Sequence, residues 1–167
     1  PPIFSRSNSD ELVNQSIYNL IKEFRSFNIT TWNAEGLCSK DPVRAIVKQN
    51  CFKQILNNSV ILSLQETHDD GLCLPEIFAD SEFELFNNPS GSDSAAGTAI
   101  LIHKKLHSRA VSVEPIDLVK GWIQGMSCMF SSFRMVIFNV HSSVNLDVPT
   151  RLQQLRMIQE YLQIPCH

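Results

Sequence analysis

The chain has 167 residues, of which 43% are apolar, and its 14 Lys and Arg against 17 Asp and Glu give a formal net charge of −3. This composition excludes a disordered or fibrous chain, because disorder requires low hydrophobicity together with a high net charge. The length corresponds to one ordinary domain. The sequence has no apolar run of about 18 residues and no signal-peptide pattern, so we expect no membrane partner and no secretion.

The cysteines are odd in number and widely spaced, with no Cys-x-x-Cys pair that would indicate a zinc site or a redox couple. We therefore expect reduced, buried or inert thiols in a reducing compartment, and a nuclear or cytoplasmic location. The five residues concerned are Cys38, Cys51, Cys73, Cys128 and Cys166.

Charge is distributed unevenly along the chain. Residues 54–103 contain no Lys or Arg but eight Asp and Glu, so this stretch could bind a cation. A basic cluster follows directly, and we expect its Lys104, Lys105 and Arg109 to contact a nucleic-acid backbone. The alternative for both stretches is an ordinary solvated surface.

The first predicted helix runs from about Ser9 to Phe24, with acidic residues in its first turn. A strand rich in β-branched and aromatic residues follows over 27–32 and ends at a turn that begins with Asn33. Asp41 before a proline predicts the start of a second helix of about four turns. Its apolar face is predicted to contain Val43, Ile46, Val47, Ile55 and Leu56.

The continuous apolar run over 59–64 predicts a strand that is buried on both faces. Residues 87–97 are rich in Asn, Pro, Ser and Gly and predict a loop at a flexible rim. A last helix is predicted over 149–162, with Leu152, Leu155, Ile158 and Leu162 at helical spacing. The other predicted strands cover 82–86, 98–102, 110–114, 121–130 and 134–141.

Polar clusters follow three of these strands. Asn33 and Glu35 come after the first, Glu66 and His68 come after the buried run, and His141 is the residue on which the last strand ends. Helices and strands in this order predict sheets with helices on their outer faces, and strand ends on such scaffolds commonly carry active-site groups. A carboxylate at Glu66 suits Mg²⁺, and His141 suits proton transfer or phosphate contact. The alternatives are a surface carboxylate, a hydrogen-bonded structural histidine and, for Asn33, an ordinary turn residue.

Read together, four ordered segments resemble the endonuclease/exonuclease/phosphatase superfamily. The Leu-Gln-Glu-Thr-His form of the second segment is most similar to the apurinic-type endonuclease domain of non-LTR retrotransposons. The resemblance spans about residues 28–162. The segments are 31–37 (TWNAEGL), 64–68 (LQETH), 96–102 (AGTAILI) and 138–141 (FNVH).

The resemblance implies an α/β fold, a four-layer α/β/β/α sandwich of two packed sheets flanked by helices, and a Mg²⁺-dependent phosphodiesterase site, with Mn²⁺ as an alternative metal. It implies that Glu66 binds the metal, that Glu35 assists it, and that Asn33 and His141 are catalytic. DNA is the implied substrate. Residues 1–27 are interpreted as an extension with one helix, and 28–167 as the N-terminal part of the domain, belonging to a longer polyprotein with a reverse transcriptase.

Two departures from the family pattern leave alternatives open. His141 stands where apurinic-type members usually carry Tyr, whereas deoxyribonuclease-like, sphingomyelinase-like and deadenylase-like members carry His. RNA or a phospholipid head group is therefore an alternative substrate. The later Gly-Asp-x-Asn and Ser-Asp-His motifs do not occur in these 167 residues. Since these motifs supply the general base, we expect the fragment to be incomplete and inactive. A degenerate remnant without catalysis is the other alternative.

Overall fold

The computed structural model describes residues 8–24, 27–38, 41–90, 96–142 and 146–163. Helices and strands alternate in the first half of the chain, and three consecutive strands dominate the second half. In chain order the elements are α1 (Asn8–Glu23), β1 (Ile29–Asn33), α2 (Pro42–Asn57), β2 (Ile61–Gln65), α3 (Cys73–Phe78), β3 (Phe83–Asn88), β4 (Thr98–His103), α4 (Lys104–His107), β5 (Ser112–Val119), β6 (Ile123–Met129), β7 (Arg134–Val140) and α5 (Val148–Gln163).

Sheet 1 contains four strands in the order β1-β2-β4-β3. β1 and β2 are parallel, and their register pairs Asn33 with Gln65, so the two strands end at the same edge of the sheet. β4 is antiparallel to β2, which places its first residue, Thr98, beside Gln65. We call this edge, marked by Asn33, Gln65 and Thr98, the upper edge, and the opposite end, where Ile61 pairs with Ile102, the lower end.

Sheet 2 contains β5, β6 and β7 in antiparallel order. Its register pairs Ile123, at the start of β6, with Val140, at the end of β7. The two sheets pack face to face, and Asn139 of β7 donates hydrogen bonds to carbonyl groups of sheet 1 at Leu64 and Ala99. The end of β7 therefore lies at the upper edge.

Alternation along β2 explains why its sequence is continuously apolar. Leu62 and Leu64 belong to the core cluster beneath α2 and α3, which includes Phe52. Ile61 belongs to a second cluster, between the sheets, with Met126 of β6. Because residues two apart in a strand point to the same face, β2 is covered on both sides, as its sequence predicts.

The two-sheet sandwich with outer helices confirms the predicted fold class. Two short helices, α3 and α4, are present in addition to the predicted elements. Within the described ranges, no helix is long and apolar enough to span a membrane. The central part of the predicted 87–97 loop, residues 91–95, lies outside the described residues, and residues 87 and 88 belong to β3.

The predicted apolar face of α2 is wrong over its first two turns. Asp41 caps the helix as expected, accepting hydrogen bonds from the N–H groups of Val43 and Arg44. The side chains of Val43, Ile46 and Val47 are nevertheless exposed, and Phe52 is the buried anchor of the helix. In α5, likewise, the predicted face is largely exposed, at Leu152, Leu155 and Leu162.

The expectation of unpaired thiols is also corrected. Cys38 and Cys73 form a disulfide with a Cα–Cα distance of 6.0 Å. It joins the segment after β1 to the first residue of α3. Cys51 is an exposed free thiol and Cys128 a buried one, while Cys166 lies outside the described residues.

Candidate active site

The segments that follow β1 and β2 at the upper edge contain residues in the left-handed backbone conformation. Glu35, Glu66 and His68 have positive φ values of 46°, 50° and 54°. Non-glycine residues rarely adopt this conformation, and such residues concentrate at functional sites. Backbone hydrogen bonds join the two segments, including one of 2.6 Å from the N–H of Gly36 to the carbonyl of Glu66.

Two side chains, one from each sheet, converge on one carboxylate oxygen of Glu66. Asn33 Nδ2 donates to Glu66 Oε1 at 2.9 Å. His141 Nε2 lies 3.1 Å from the same oxygen, and the side chains of His141 and Glu66 are 13% and 28% exposed. Solvent therefore reaches a partly buried cluster that is anchored at the ends of β1, β2 and β7.

His141 is held by its backbone and by its ring. Its N–H donates to the carbonyl of Trp122 at 2.8 Å, and its imidazole stacks on the Trp122 indole. Its Nδ1 is buried without a hydrogen-bond partner among the described residues. The contact with Glu66 requires a proton on Nε2, an assignment that follows from the hydrogen-bond network. His141 therefore presents an N–H donor to the cluster.

Glu35 takes a different position from the one expected for a second metal ligand. Its side chain is exposed, and its hydrogen bonds to other described residues are made by its backbone. Its N–H donates to Asn33 Oδ1 at 3.1 Å, and its carbonyl accepts a hydrogen bond from the Lys48 ammonium group. The carboxylate of Glu35 is thus not brought into the Asn33, Glu66 and His141 cluster.

The chemistry of Glu66 fits a hard cation. One of its oxygens accepts both contacts of the cluster, and the other has no hydrogen-bond partner in the described part of the chain. Mg²⁺ in enzymes commonly uses one or two carboxylates, completed by phosphate oxygens and water. Glu66 is therefore the residue of this cluster that could hold a divalent cation, as a single carboxylate ligand.

A separate group of potential ligands consists of Cys38, Asp69 and Cys73, whose ligand atoms lie within 4.8 Å of one another. The two cysteines form the disulfide, and the Asp69 carboxylate caps α3 by accepting from the N–H groups of Cys73 and Leu74. The available donor atoms are thus already engaged, and this group has a structural role.

The predicted nucleic-acid contacts lie away from the cluster. Lys104 and Lys105 belong to α4, which follows the lower end of β4, and Arg109 comes shortly after. β4 has six residues, so about 17 Å of strand separates this region from the upper edge. Lys104 Nζ donates to the carbonyl of Ser81 at 2.6 Å. The structure therefore does not bring the three basic residues to Glu66.

Several residues at the site carried no recognised signal in the sequence. Trp122 stacks on His141, and Asn139 and Gln65 form buried hydrogen bonds beneath the cluster. Gly97 and Gly121 have positive φ values, and the Gly97 N–H donates to the Gly121 carbonyl. All of these residue types are ordinary in strands and turns. Gln65 and Asn139 lie inside two of the segments that carry the family resemblance, 64–68 and 138–141, but the sequence does not indicate their hydrogen bonds.

No protein-family model matches the sequence, and no curated protein matches it. Solved structures do match. An AP endonuclease, LMAP from Leishmania major, has a TM-score of 0.61 at 16% identity, over 97% of this chain and 53% of that protein. TDP2 from D. rerio, complexed with single strand DNA product, has a TM-score of 0.53 at 21% identity, over 83% and 56%. Truncated TDP2 from Caenorhabditis elegans has a TM-score of 0.57 at 20% identity, over 81% and 54%.

These similarities identify the architecture. The chain has the endonuclease/exonuclease/phosphatase fold. It spans about half the length of the solved structures that it matches. At identities between 16% and 21% the similarity concerns the fold alone, and function must be argued from the site.

Proposed function

We propose that this chain contributes the metal-binding and phosphate-binding part of a magnesium-dependent phosphodiesterase that nicks DNA, of the retrotransposon endonuclease type. One observation carries the proposal: Asn33, Glu66 and His141 leave three different strands and meet at a single carboxylate oxygen. A carboxylate beside two N–H donors suits a site for a metal and a phosphate group.

Each residue has a separate role in this proposal. Glu66 binds Mg²⁺, or Mn²⁺ as a substitute, through its carboxylate. When bound, the cation would neutralise negative charge on the phosphate and polarise it. Asn33 and His141 would donate hydrogen bonds to phosphate oxygens, because each presents an N–H group beside the proposed metal ligand Glu66.

The structural neighbours favour DNA as the substrate. One is an AP endonuclease, and one is TDP2 in complex with single strand DNA product. Lys104, Lys105 and Arg109 remain proposed contacts to a nucleic-acid backbone outside the cluster. The polyprotein with a reverse transcriptase and the division at residues 27 and 28 also remain proposals.

The proposal separates metal binding, which these residues would provide, from hydrolysis, which needs a general base. The sequence contains neither Gly-Asp-x-Asn nor Ser-Asp-His. In the superfamily that the sequence resembles, these segments carry the general base. We therefore expect these 167 residues to bind the metal without hydrolysing DNA at a useful rate, since loss of a base and of transition-state stabilisation costs several powers of ten in rate.

Binding of Mn²⁺ to the purified chain, followed by the electron paramagnetic resonance signal of the free ion, tests the metal site. Wild type should bind Mn²⁺ in competition with Mg²⁺, and Glu66→Gln should lose this binding. Glu84→Gln is the matched control, because Glu84 is an exposed carboxylate in the same acidic stretch, paired with Ile102 near the lower end of sheet 1. Binding that survives Glu66→Gln would contradict the proposal.

A supercoiled-plasmid nicking assay with Mg²⁺ tests whether these 167 residues hydrolyse DNA without the later motifs. We expect no nicking above an EDTA control. Nicking that EDTA and Glu66→Gln both abolish would support the phosphodiesterase and overturn the expected inactivity of these residues alone.

A further inference from the structure

A second polar layer lies directly beneath the Asn33, Glu66 and His141 cluster. Gln65 Nε2 donates to Thr31 Oγ1 at 2.9 Å and also to Asn139 Oδ1. Asn139 Nδ2 donates to the carbonyls of Leu64 at 2.7 Å and Ala99 at 3.0 Å. These bonds link β1, β2 and β4 of sheet 1 to β7 of sheet 2.

The members of this layer are close in sequence to the residues of the cluster. Thr31 lies two residues before Asn33, Gln65 immediately precedes Glu66, and Asn139 lies two residues before His141. A strand repeats its side-chain direction every two residues. Thr31 and Asn139 therefore share a strand face with Asn33 and His141, one step deeper in the sandwich, and Gln65 adjoins Glu66 along the chain.

Asn139 is the member that belongs to sheet 2 and donates hydrogen bonds to backbone carbonyls of sheet 1. Its side chain is buried, at 2% exposed. Apolar contacts between sheets tolerate small sliding movements, whereas a buried amide loses its bonds when its carbonyl partners move. The contact from His141 to Glu66 crosses the same sheet interface.

We propose that Asn139 and Gln65 are positioning residues that set the distance between His141 and Glu66. The role in catalysis rests on the function proposed above, but the positioning itself is a property of the free protein. The competing explanation is that the two amides only stabilise the sandwich, as buried hydrogen bonds commonly do. The two explanations differ in what happens at His141 when the fold is kept.

Two substitutions perturb the layer to different degrees. Gln65→Asn shortens a half-buried side chain so that it no longer reaches Asn139, and Asn139→Ser removes the amide that spans the sheets. Ser59→Ala is the matched control. Ser59 is buried, and its hydroxyl bonds to Thr30 of β1 at 2.8 Å, just before the start of β2 and at the lower end of sheet 1.

The first readout is the nuclear magnetic resonance signal of the His141 ring protons without metal. Stacking on Trp122 should shift these protons upfield, and Trp122→Ala gives the position without the stack. We expect the signals of Gln65→Asn and Asn139→Ser to move towards that position, while Ser59→Ala retains the wild-type shift. Unchanged His141 signals in folded Gln65→Asn and Asn139→Ser would overturn the proposal, even if both variants were less stable.

The second readout is Mn²⁺ affinity, measured below the unfolding transition of every variant. We expect a loss of about tenfold or more for Gln65→Asn and Asn139→Ser, as is typical when partners of metal ligands are removed. Wild-type affinity in both variants would also overturn the proposal. If wild type binds no Mn²⁺ through Glu66, the proposed function fails, and the His141 signals still decide whether the layer positions this ring. If Asn139→Ser does not fold, Gln65→Asn decides the question alone.

Discussion

The imidazole of His141 lies flat against the indole of Trp122, with ring centroids 4.9 Å apart and ring planes 11° apart. The edge of the same imidazole faces Glu66, with Nε2 at 3.1 Å from Oε1. Because the face and the edge of the ring make different contacts, the contribution of His141 to stability can be separated from its contribution to the site.

His141→Phe tests this separation. Phenylalanine keeps a flat ring against Trp122 but has no N–H for Glu66 or for a phosphate oxygen. We expect His141→Phe to keep nearly the wild-type unfolding temperature while weakening binding of a single-stranded oligonucleotide in the presence of Mn²⁺ by about tenfold, the effect of one lost hydrogen bond to a charged group. His141→Ala should lower both. Equal oligonucleotide binding by wild type and His141→Phe would contradict the assigned donor role.

The sequence predicts where the residues of the candidate site lie better than it predicts which residues they contact. Asn33, Glu66 and His141 were expected at strand ends, because apolar or β-branched runs stop immediately before them, and the structure places them together. The fold class also follows from the order of elements and from the resemblance. None of these signals is long-range, so the bonds that Asn139 makes across the sheets could not be inferred.

Charge clustering and periodicity were weaker guides. Lys104 and Lys105 form a basic run, but β4 is antiparallel to β2, and this direction, which the sequence does not reveal, puts them at the lower end of sheet 1. Helices α3 and α4 have six and four residues, too few for a periodic pattern. The disulfide joins cysteines separated by 35 positions, a pairing that spacing alone does not determine.

Gly97 supports the site loop by leaving room for Thr67. Its φ is +104°, and a Cβ atom there would lie 2.3 Å from Thr67 Oγ1. Gly71 has a similar φ of +107°, but its nearest neighbour would be 3.8 Å away. Gly97→Ala should therefore lower the free energy of unfolding by about 1–3 kcal/mol more than Gly71→Ala, the usual cost of overpacking. Urea titrations measure both, and equal losses would show that backbone strain alone is responsible.

The Cys38–Cys73 disulfide should contribute to stability more than to the site. Closing a loop with a sequence separation of 35 stabilises the folded state by about 4 kcal/mol in the chain-entropy model. The N–H of Cys38 separately donates to the Thr67 carbonyl at 3.1 Å. We therefore expect Cys38→Ser to lower the urea midpoint strongly and to keep Mn²⁺ affinity near wild type.

Cys51→Ser is the control for that experiment, because Cys51 is exposed and unpaired. It should leave the urea midpoint unchanged, and adding a reductant to wild type should reproduce the midpoint of Cys38→Ser. A midpoint that is the same for Cys38→Ser and wild type would contradict the stabilising role of the disulfide.

His103 should make stability depend on pH. Burial lowers the pKa of its imidazole, nearby Lys105 lowers it further, and Glu82 acts in the opposite direction. The neutral ring caps α4, because Nδ1 accepts from the N–H of Lys105 at 3.1 Å. Since the pKa is lower in the folded state, this stabilisation is present above the ordinary value of 6.5 and is lost as the pH falls below it.

His103→Asn isolates this contribution, because asparagine also caps helices but does not titrate. We expect the loss in free energy of unfolding between pH 7.5 and pH 5 to be smaller for His103→Asn than for wild type. The other histidines are common to both proteins, so the difference reports His103. Identical pH dependence in the two proteins would rule out the capping role of the neutral ring.

The two free thiols of the described chain should differ in reactivity. Cys51 is exposed, whereas Cys128 is buried between the sheets, and burial raises the pKa of its thiol to about 11. At pH 8 such a group is thiolate in only about one molecule in a thousand, and thiolate is the species that alkylating reagents attack. We expect iodoacetamide to modify Cys51 within minutes and Cys128 only after unfolding, as mapped by mass spectrometry of peptides. Equal labelling of both residues in the folded protein would show that the sheets separate readily around Cys128, and the close packing inferred for the sandwich would then be wrong.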